Sequence, residues 1–195
     1  MRKLDENYWS ARYMNGEAGW DLGYASPPLM EYAAQLDNKS LKILIPGAGN
    51  SWEIEGLYKM GFTNLTVCDI SEMPINNIKN RMGNSADDIH FIHDDFFNLS
   101  DQYDLILEQT FFCALDPDLR KDYVQKVMNS LNSGGKLVGV LFGIEFETEG
   151  PPFGGRIEEY QSLFQPYFDI RKMEICRNSI SKREGNEIFI NLSPK

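Results

Sequence analysis

Cysteine, histidine and basic residues are all scarce in this sequence, and each shortage removes a class of protein. The three cysteines, Cys68, Cys113 and Cys176, are odd in number and far apart. They argue against a disulfide scaffold and for a reducing, cytoplasmic setting. No CxxC pair or Cys/His cluster suggests a structural zinc. The two histidines, His90 and His93, fall within HFIHDD, which by residue type resembles a metal site. Residues three apart on a strand point to opposite faces, so no metal is expected there. Lysine and arginine number 19 against 29 aspartates and glutamates, a formal charge of −10. That balance suits solubility and argues against a partner that is a nucleic-acid backbone or an anionic membrane. No run approaches the roughly 18 apolar residues of a membrane span, and MRKLDENYW has no apolar signal core.

Repeats, low-complexity tracts and a second-domain boundary are also missing. A chain of 195 residues can bury about 70% of its unfolded surface, so residues 1–195 are read as one domain and the molecule as a monomer. Two further absences concern a single loop. LIPGAGNSW (44–52) ends an apolar run in Gly47-Ala48-Gly49, but the small residue that completes a GxGxxG dinucleotide fingerprint is replaced by Trp52. No Gly-Lys-Ser/Thr follows, so a P-loop is excluded as well.

What is present is an alternation of strand and helix patterns from about residue 40 onward. LKILIP (41–46), NLTVCDI (64–70), IHFIH (89–93), YDLILEQ (103–109) and KLVGVLF (136–142) read as strands, the first a continuous apolar run and the fourth apolar on both faces at its centre. Between them Asn50 and Glu53 resemble a capping box, Ser71 suits a helix cap, and Asp116-Pro117 suits a helix start. A short helix near 156–165 follows, then two strand runs near 168–176 and 186–192. These are joined without a helical pattern and so form an antiparallel hairpin. The expected fold is α/β and Rossmann-like, a mostly parallel seven-stranded sheet with helices on both faces. The first 40 residues contain no strand but carry Tyr8, Trp9, Tyr13, Trp20 and Tyr24. They either pack on the sheet or form a lid.

In a doubly wound sheet, ligands bind beyond the carboxyl ends of the strands. The ends here are Gly47-Ala48-Gly49, then Asp69, then Asp94-Asp95-Phe96-Phe97, then Glu108-Gln109-Thr110-Phe111-Phe112. Asp69 stands twenty residues past Gly49, where such folds place an acid for ribose hydroxyls. A carboxylate beside aromatic rings suits a purine, and one ring of each Phe pair is expected in the core. The paired glycines are read as letting backbone pass close to a ligand. A cofactor with ribose and adenine but no pyrophosphate tolerates Trp52, and S-adenosylmethionine is one. Its sulfonium would be attracted to the N-terminal rings by about 0.5–2 kcal/mol.

The segments YWSARYMNGEAGWDLGYASPPL, LIPGAGN, DDFF, LEQTFFCALDPDLRKDY and FETEGPPF, in this order and spacing, resemble the thiopurine S-methyltransferase superfamily. They resemble most its halide/thiol methyltransferase branch, which includes the plant "harmless to ozone layer" proteins. The resemblance covers residues 8 to about 155. It implies a class I methyltransferase with residues 1–40 as an aromatic lid and 41–195 as the core. The implied cofactor contacts are Trp9, Tyr13 and Trp20 on the lid, Gly47 in the loop, Asp69 on the ribose, Asp95 and Phe96 beside the adenine, and Gln109 on the fourth strand. Tyr13 stands where the family often has Trp, Ala48 replaces a usual Cys, and Gln109 replaces Tyr or Arg. The expected reaction moves a methyl group from S-adenosylmethionine to a small soft nucleophile (a thiol, sulfide, selenium species or halide), leaving S-adenosylhomocysteine. No catalytic residue is assigned. FETEGPPF is either a plain turn or a substrate loop. The competing readings are a nicotinamide-dependent oxidoreductase, which Trp52 disfavours, and a nucleoside-binding module without catalysis.

Overall fold

A computed structural model describes residues 3–147 and 149–195. Seven strands form one sheet: β1 (Ile43–Pro46), β2 (Leu65–Asp69), β3 (Ile89–His93), β4 (Tyr103–Gln109), β5 (Leu131–Phe142), β6 (Phe168–Ile175) and β7 (Glu187–Pro194). Their order is β3-β2-β1-β4-β5-β7-β6. The first five are parallel, and β7 lies antiparallel between β5 and β6. The sheet is therefore the expected mostly parallel one with a C-terminal antiparallel pair. Strand order reverses between β1 and β4, where a crevice must open at the strands' carboxyl ends.

The continuous apolar runs are explained by two cores. Leu44, Ile106 and Leu137 face one side with residues of α5 (Arg120–Asn129) and α6 (Ile157–Phe164). Their neighbours Ile43, Ile45, Leu105, Leu107 and Val138 face the other, with residues of α2 (Pro27–Ala34), α3 (Trp52–Lys59) and α4 (Glu72–Met82). Side chains alternate along a strand, so a strand covered on both faces must be apolar at every position. The first 40 residues hold no strand but form two helices, α1 (Glu6–Met14) and α2. Asp5 caps α1 by accepting from the Tyr8 N–H, and the Pro27-Pro28 pair opens α2.

Three local expectations need correction. Asn50 and Glu53 form no capping box; Ser51 stands at the cap of α3 with φ of 33°. The Asn50 side chain bonds Asp21 and Asn77 instead, and Glu53 Oε1 accepts from the Ser26 N–H at 2.8 Å. Ser71 caps α4 by position only, because its hydroxyl pairs with Ser10 Oγ at 2.8 Å. Strand β5 begins at Leu131, before Gly134-Gly135, rather than at Lys136. Tyr103 pairs with Leu131 and Leu105 with Lys136, so the glycines loop out inside the strand as an irregularity. Asp116 starts its element as expected, though through a 3-10 turn (Pro117–Leu119) before α5.

Candidate functional site

All eight residues singled out above, Trp9, Tyr13, Trp20, Gly47, Asp69, Asp95, Phe96 and Gln109, line one cavity of about 990 Å³. It lies at the carboxyl ends of β1 to β4 under the N-terminal segment. That volume is at the upper end for small-molecule sites.

Each wall has a local cause. Gly47 and Gly49 adopt φ of 51° and 54°, which glycine reaches without strain. The protein itself also demands them. A Cβ on Gly47 would lie 1.9 Å from the Phe111 ring, and one on Gly49 would lie 2.8 Å from the Tyr13 hydroxyl. Close approach to a ligand is therefore not the whole reason for the glycines. Trp20 packs edge-on against both Trp9 (5.5 Å) and Tyr13 (5.6 Å), which sets an aromatic box beside the loop. Asp69 ends β2 with both oxygens engaged, Oδ2 accepting from the Gly49 N–H and Oδ1 from the Ser71 N–H, each at 2.8 Å. Burial outweighs these bonds and pushes its carboxyl up to about 6.

Of the aromatic pairs, Phe96 and Phe112 are the core members and Phe97 and Phe111 are half-buried. Phe96 is 3% exposed, so it belongs to the core while also lining the cavity. Asp95 caps the short turn Phe96–Asn98 by accepting from the Phe97 N–H. The thiol of Cys68 is pushed up to about 12 and that of Cys113 further, both chiefly by burial, so the two cavity cysteines stay neutral. Among the described residues no group of three or more His, Cys, Asp or Glu side chains is placed to hold a metal ion. Nor is any helix among them long and apolar enough to cross a membrane.

The sequence does not mark Arg183, and Glu108, which it places at a crevice-facing strand end, turns out to be structural. Arg183, in the β6–β7 connection, is 8% exposed and lines the cavity. Its guanidinium donates to the Trp20 carbonyl at 2.7 Å and pairs with Glu187 at 3.2 Å. Nothing in NSISKREGN distinguishes it from a surface charge, because its partners are remote in sequence. Glu108, at the end of β4, is fully buried and accepts from the Phe111 and Phe112 N–H groups and from the Tyr123 hydroxyl. Of the segment FETEGPPF, Pro151 and Pro152 reach the cavity and Thr148 lies outside the described residues.

Two residues of the cavity wall also carry polar atoms that the protein leaves unpaired. Gln109 Oε1 and Ser51 Oγ are buried without a hydrogen-bond partner. A buried acceptor and a buried hydroxyl cost free energy unless a ligand pairs them. A buried acceptor and hydroxyl are groups that could hold an amino-acid ligand, as a carboxylate could hold hydroxyls and an aromatic box a cation. With the sheet order, these features define a class I S-adenosylmethionine-dependent methyltransferase.

Known proteins narrow this further. The sequence profile of the thiopurine S-methyltransferase (TPMT) family matches residues 4–189, and the chain belongs to that family. It is 26% identical to a probable thiol methyltransferase 2 of Arabidopsis thaliana, an alignment covering 95% of this chain and 85% of the relative. It is 25% identical to the thiopurine S-methyltransferase of Acinetobacter baylyi, covering 94% of each. Its fold resembles the Burkholderia thailandensis 1,6-didemethyltoxoflavin-N1-methyltransferase with bound S-adenosylhomocysteine (TM-score 0.74, 16% identity, 97% of this chain and 86% of that one). It also resembles a TehB-like methyltransferase of Corynebacterium glutamicum (TM-score 0.68, 15% identity, 97% and 98%).

Proposed function

We propose that this methyltransferase acts on a small, soft nucleophile bound as an anion, with a thiol the preferred acceptor and sulfide, selenium species or halide within reach of the same site. The observation that carries this is the apolar part of the cavity lining. Phe111, Leu115, Phe142, Pro151 and Pro152 belong to it, and the guanidinium of the buried Arg183 lies 5.2 Å from the Phe142 ring centroid. An apolar wall strips water from the acceptor, which favours a soft, weakly hydrated nucleophile. S-adenosylmethionine, when bound, supplies a methyl group already activated on a sulfonium. The chain then needs mainly to align the acceptor at about 3–3.5 Å and exclude water, with no strong general base.

On this reading Asp69 receives the ribose hydroxyls, Asp95 and the edge of Phe96 flank the adenine, and Gln109 receives the ammonium. Gly47 gives the loop room, and Trp9, Tyr13 and Trp20 close over the cofactor as a lid formed from residues 1–40. We read the chain as a monomeric single domain in a reducing cytoplasm. Its free, buried cysteines support that setting, and its charge of −10 disfavours nucleic acid as a partner. The experiment is methyl transfer from labelled S-adenosylmethionine to iodide, bisulfide, thiocyanate, a thiophenol, a thiopurine and selenite. Turnover fastest with a thiol supports the reading. Turnover only with neutral nitrogen or oxygen nucleophiles added to the panel would overturn it.

A further inference from the structure

Trp52 stands where a dinucleotide-binding loop needs a small residue, and the structure gives it a partner. Its indole N–H donates to Asp21 Oδ1 at 2.7 Å, and Asn50 Nδ2 donates to Asp21 Oδ2. One carboxylate of the N-terminal segment thus receives two hydrogen bonds from the glycine loop. Both donors are fixed from behind by α4. The Arg81 guanidinium lies 4.1 Å from the Trp52 ring centroid, donates to the Asn50 carbonyl and pairs with Glu55 at 2.6 Å. Asn77 Nδ2 donates to Asn50 Oδ1 at 2.9 Å. Asp21 directly follows Trp20, the centre of the aromatic box.

We propose that Trp52, Asp21 and Arg81 form a latch that holds the Trp20 segment shut over the cofactor and sets how long the cofactor stays bound. The proposal rests on the reading of the cavity as the S-adenosylmethionine site. A hydrogen bond to a carboxylate is stronger than a neutral one, and a stacked guanidinium keeps the indole from swinging away. The segment's other ties, from the Ser26 N–H to Glu53 and from Arg183 to the Trp20 carbonyl, flank this point and do not replace it. Trp52 is a positioning residue here, acting through Asp21 on Trp20. Its bulk at the start of α3 has a purpose that a third glycine could not serve.

The test is a double-mutant cycle read by S-adenosylhomocysteine binding and its dissociation rate. Trp52→Phe keeps a ring under Arg81 and removes only the N–H donor; Asp21→Ala removes the acceptor. Trp52→Phe is expected to raise the dissociation constant about tenfold, the scale of one hydrogen bond to a charged group, and Asp21→Ala, which also loses the bonds from Asn50 and the Gly23 N–H, by more. The change should appear in the dissociation rate, with the KM for the acceptor unchanged. The double variant should be no weaker than Asp21→Ala alone, since all of the Trp52 contribution passes through that carboxylate. Additive losses, or unchanged dissociation from Asp21→Ala, would overturn the latch. Asp21 also accepts from the Gly23 N–H at 2.8 Å, so Asp21→Asn, which keeps an acceptor oxygen and loses the charge, stands beside Asp21→Ala and should weaken binding less; an equal loss from both would count against the hydrogen-bonded latch. A wild-type protein that fails to bind S-adenosylhomocysteine would instead overturn the reading of the site.

Discussion

Asp69 serves two purposes with one carboxylate. Its oxygens already hold the Gly49 and Ser71 N–H groups, yet a carboxylate offers about four lone-pair positions, so two remain for ligand hydroxyls. The cost is burial, which lifts the group to about 6. The sign follows directly. Protonation turns an acceptor into a donor, so the ligand-free protein loses binding competence as pH falls through about 6. Calorimetric affinity for S-adenosylhomocysteine should therefore weaken on acidification, approaching ~tenfold per pH unit well below that point. Asp69→Ala should bind weakly at every pH and lose the step. His93→Gln should keep it, although the His93 charge is felt at Asp69. A step that persists in Asp69→Ala would assign the titration to another group.

At the scale of elements, the end of β4 is shaped by a residue that never reaches the cavity. Glu108 turns the chain back by accepting from Phe111 N (2.8 Å), Phe112 N (2.9 Å) and the Tyr123 hydroxyl (2.7 Å). Thr110 takes φ of 59° in that turn, and the Phe111 ring lands on Gly47. On β5, Gly139 leaves the space, since a Cβ there would lie 2.3 Å from Glu108 Cβ. Glu108→Ala would strand two N–H groups and a hydroxyl and should cost on the order of 3 kcal/mol or more. Glu108→Gln keeps an acceptor for both N–H groups and should cost about 1 kcal/mol. Denaturant unfolding of the two variants gives the comparison, and equal losses would deny Glu108 this role. The strands were legible in the sequence because two-sided burial forces an apolar residue at every position of β1 and through Leu105, Ile106 and Leu107 at the centre of β4. The strand-end residues were legible because topology brings all strand ends to one crevice. Asn50 and Glu53 were misread as a capping box, and Ser71 caps without its hydroxyl, because each side chain found a partner from 27 to 61 residues away. Arg183 was invisible for the same reason, with its Trp20 partner 163 residues distant. Local spacing carries no record of such pairs.

Across the whole molecule, ligand-free stability and ligand affinity are set to move in opposite directions with pH. Burial raises Asp69 to about 6, Glu108 to about 7, and Glu53 as well. A carboxyl whose folded value exceeds its unfolded one binds its proton first in the native state. Stability therefore grows as pH falls from about 7 towards the ordinary carboxylate range of ~4. The charge of −10 acts in the same direction, because acidification relieves self-repulsion. Asp5, Asp94 and Asp101 are lowered instead, chiefly by hydrogen bonds to a backbone N–H, to Asn98 and to Lys42 respectively, so their contribution is lost only at still lower pH. Without ligand, Tm should thus be higher near pH 5.5 than near pH 8, values on the order of one unit either side of those buried groups. Added salt should narrow the gap by screening repulsion but leave the part due to buried carboxylates, whose cost is lost hydration. Excess S-adenosylhomocysteine should raise Tm more at the alkaline end, since it selects the form with charged Asp69. Differential scanning calorimetry across this range decides the matter. A ligand-free Tm that climbs steadily from the acid to the alkaline side would mean that Asp69 and Glu108 are charged in the native state at little cost.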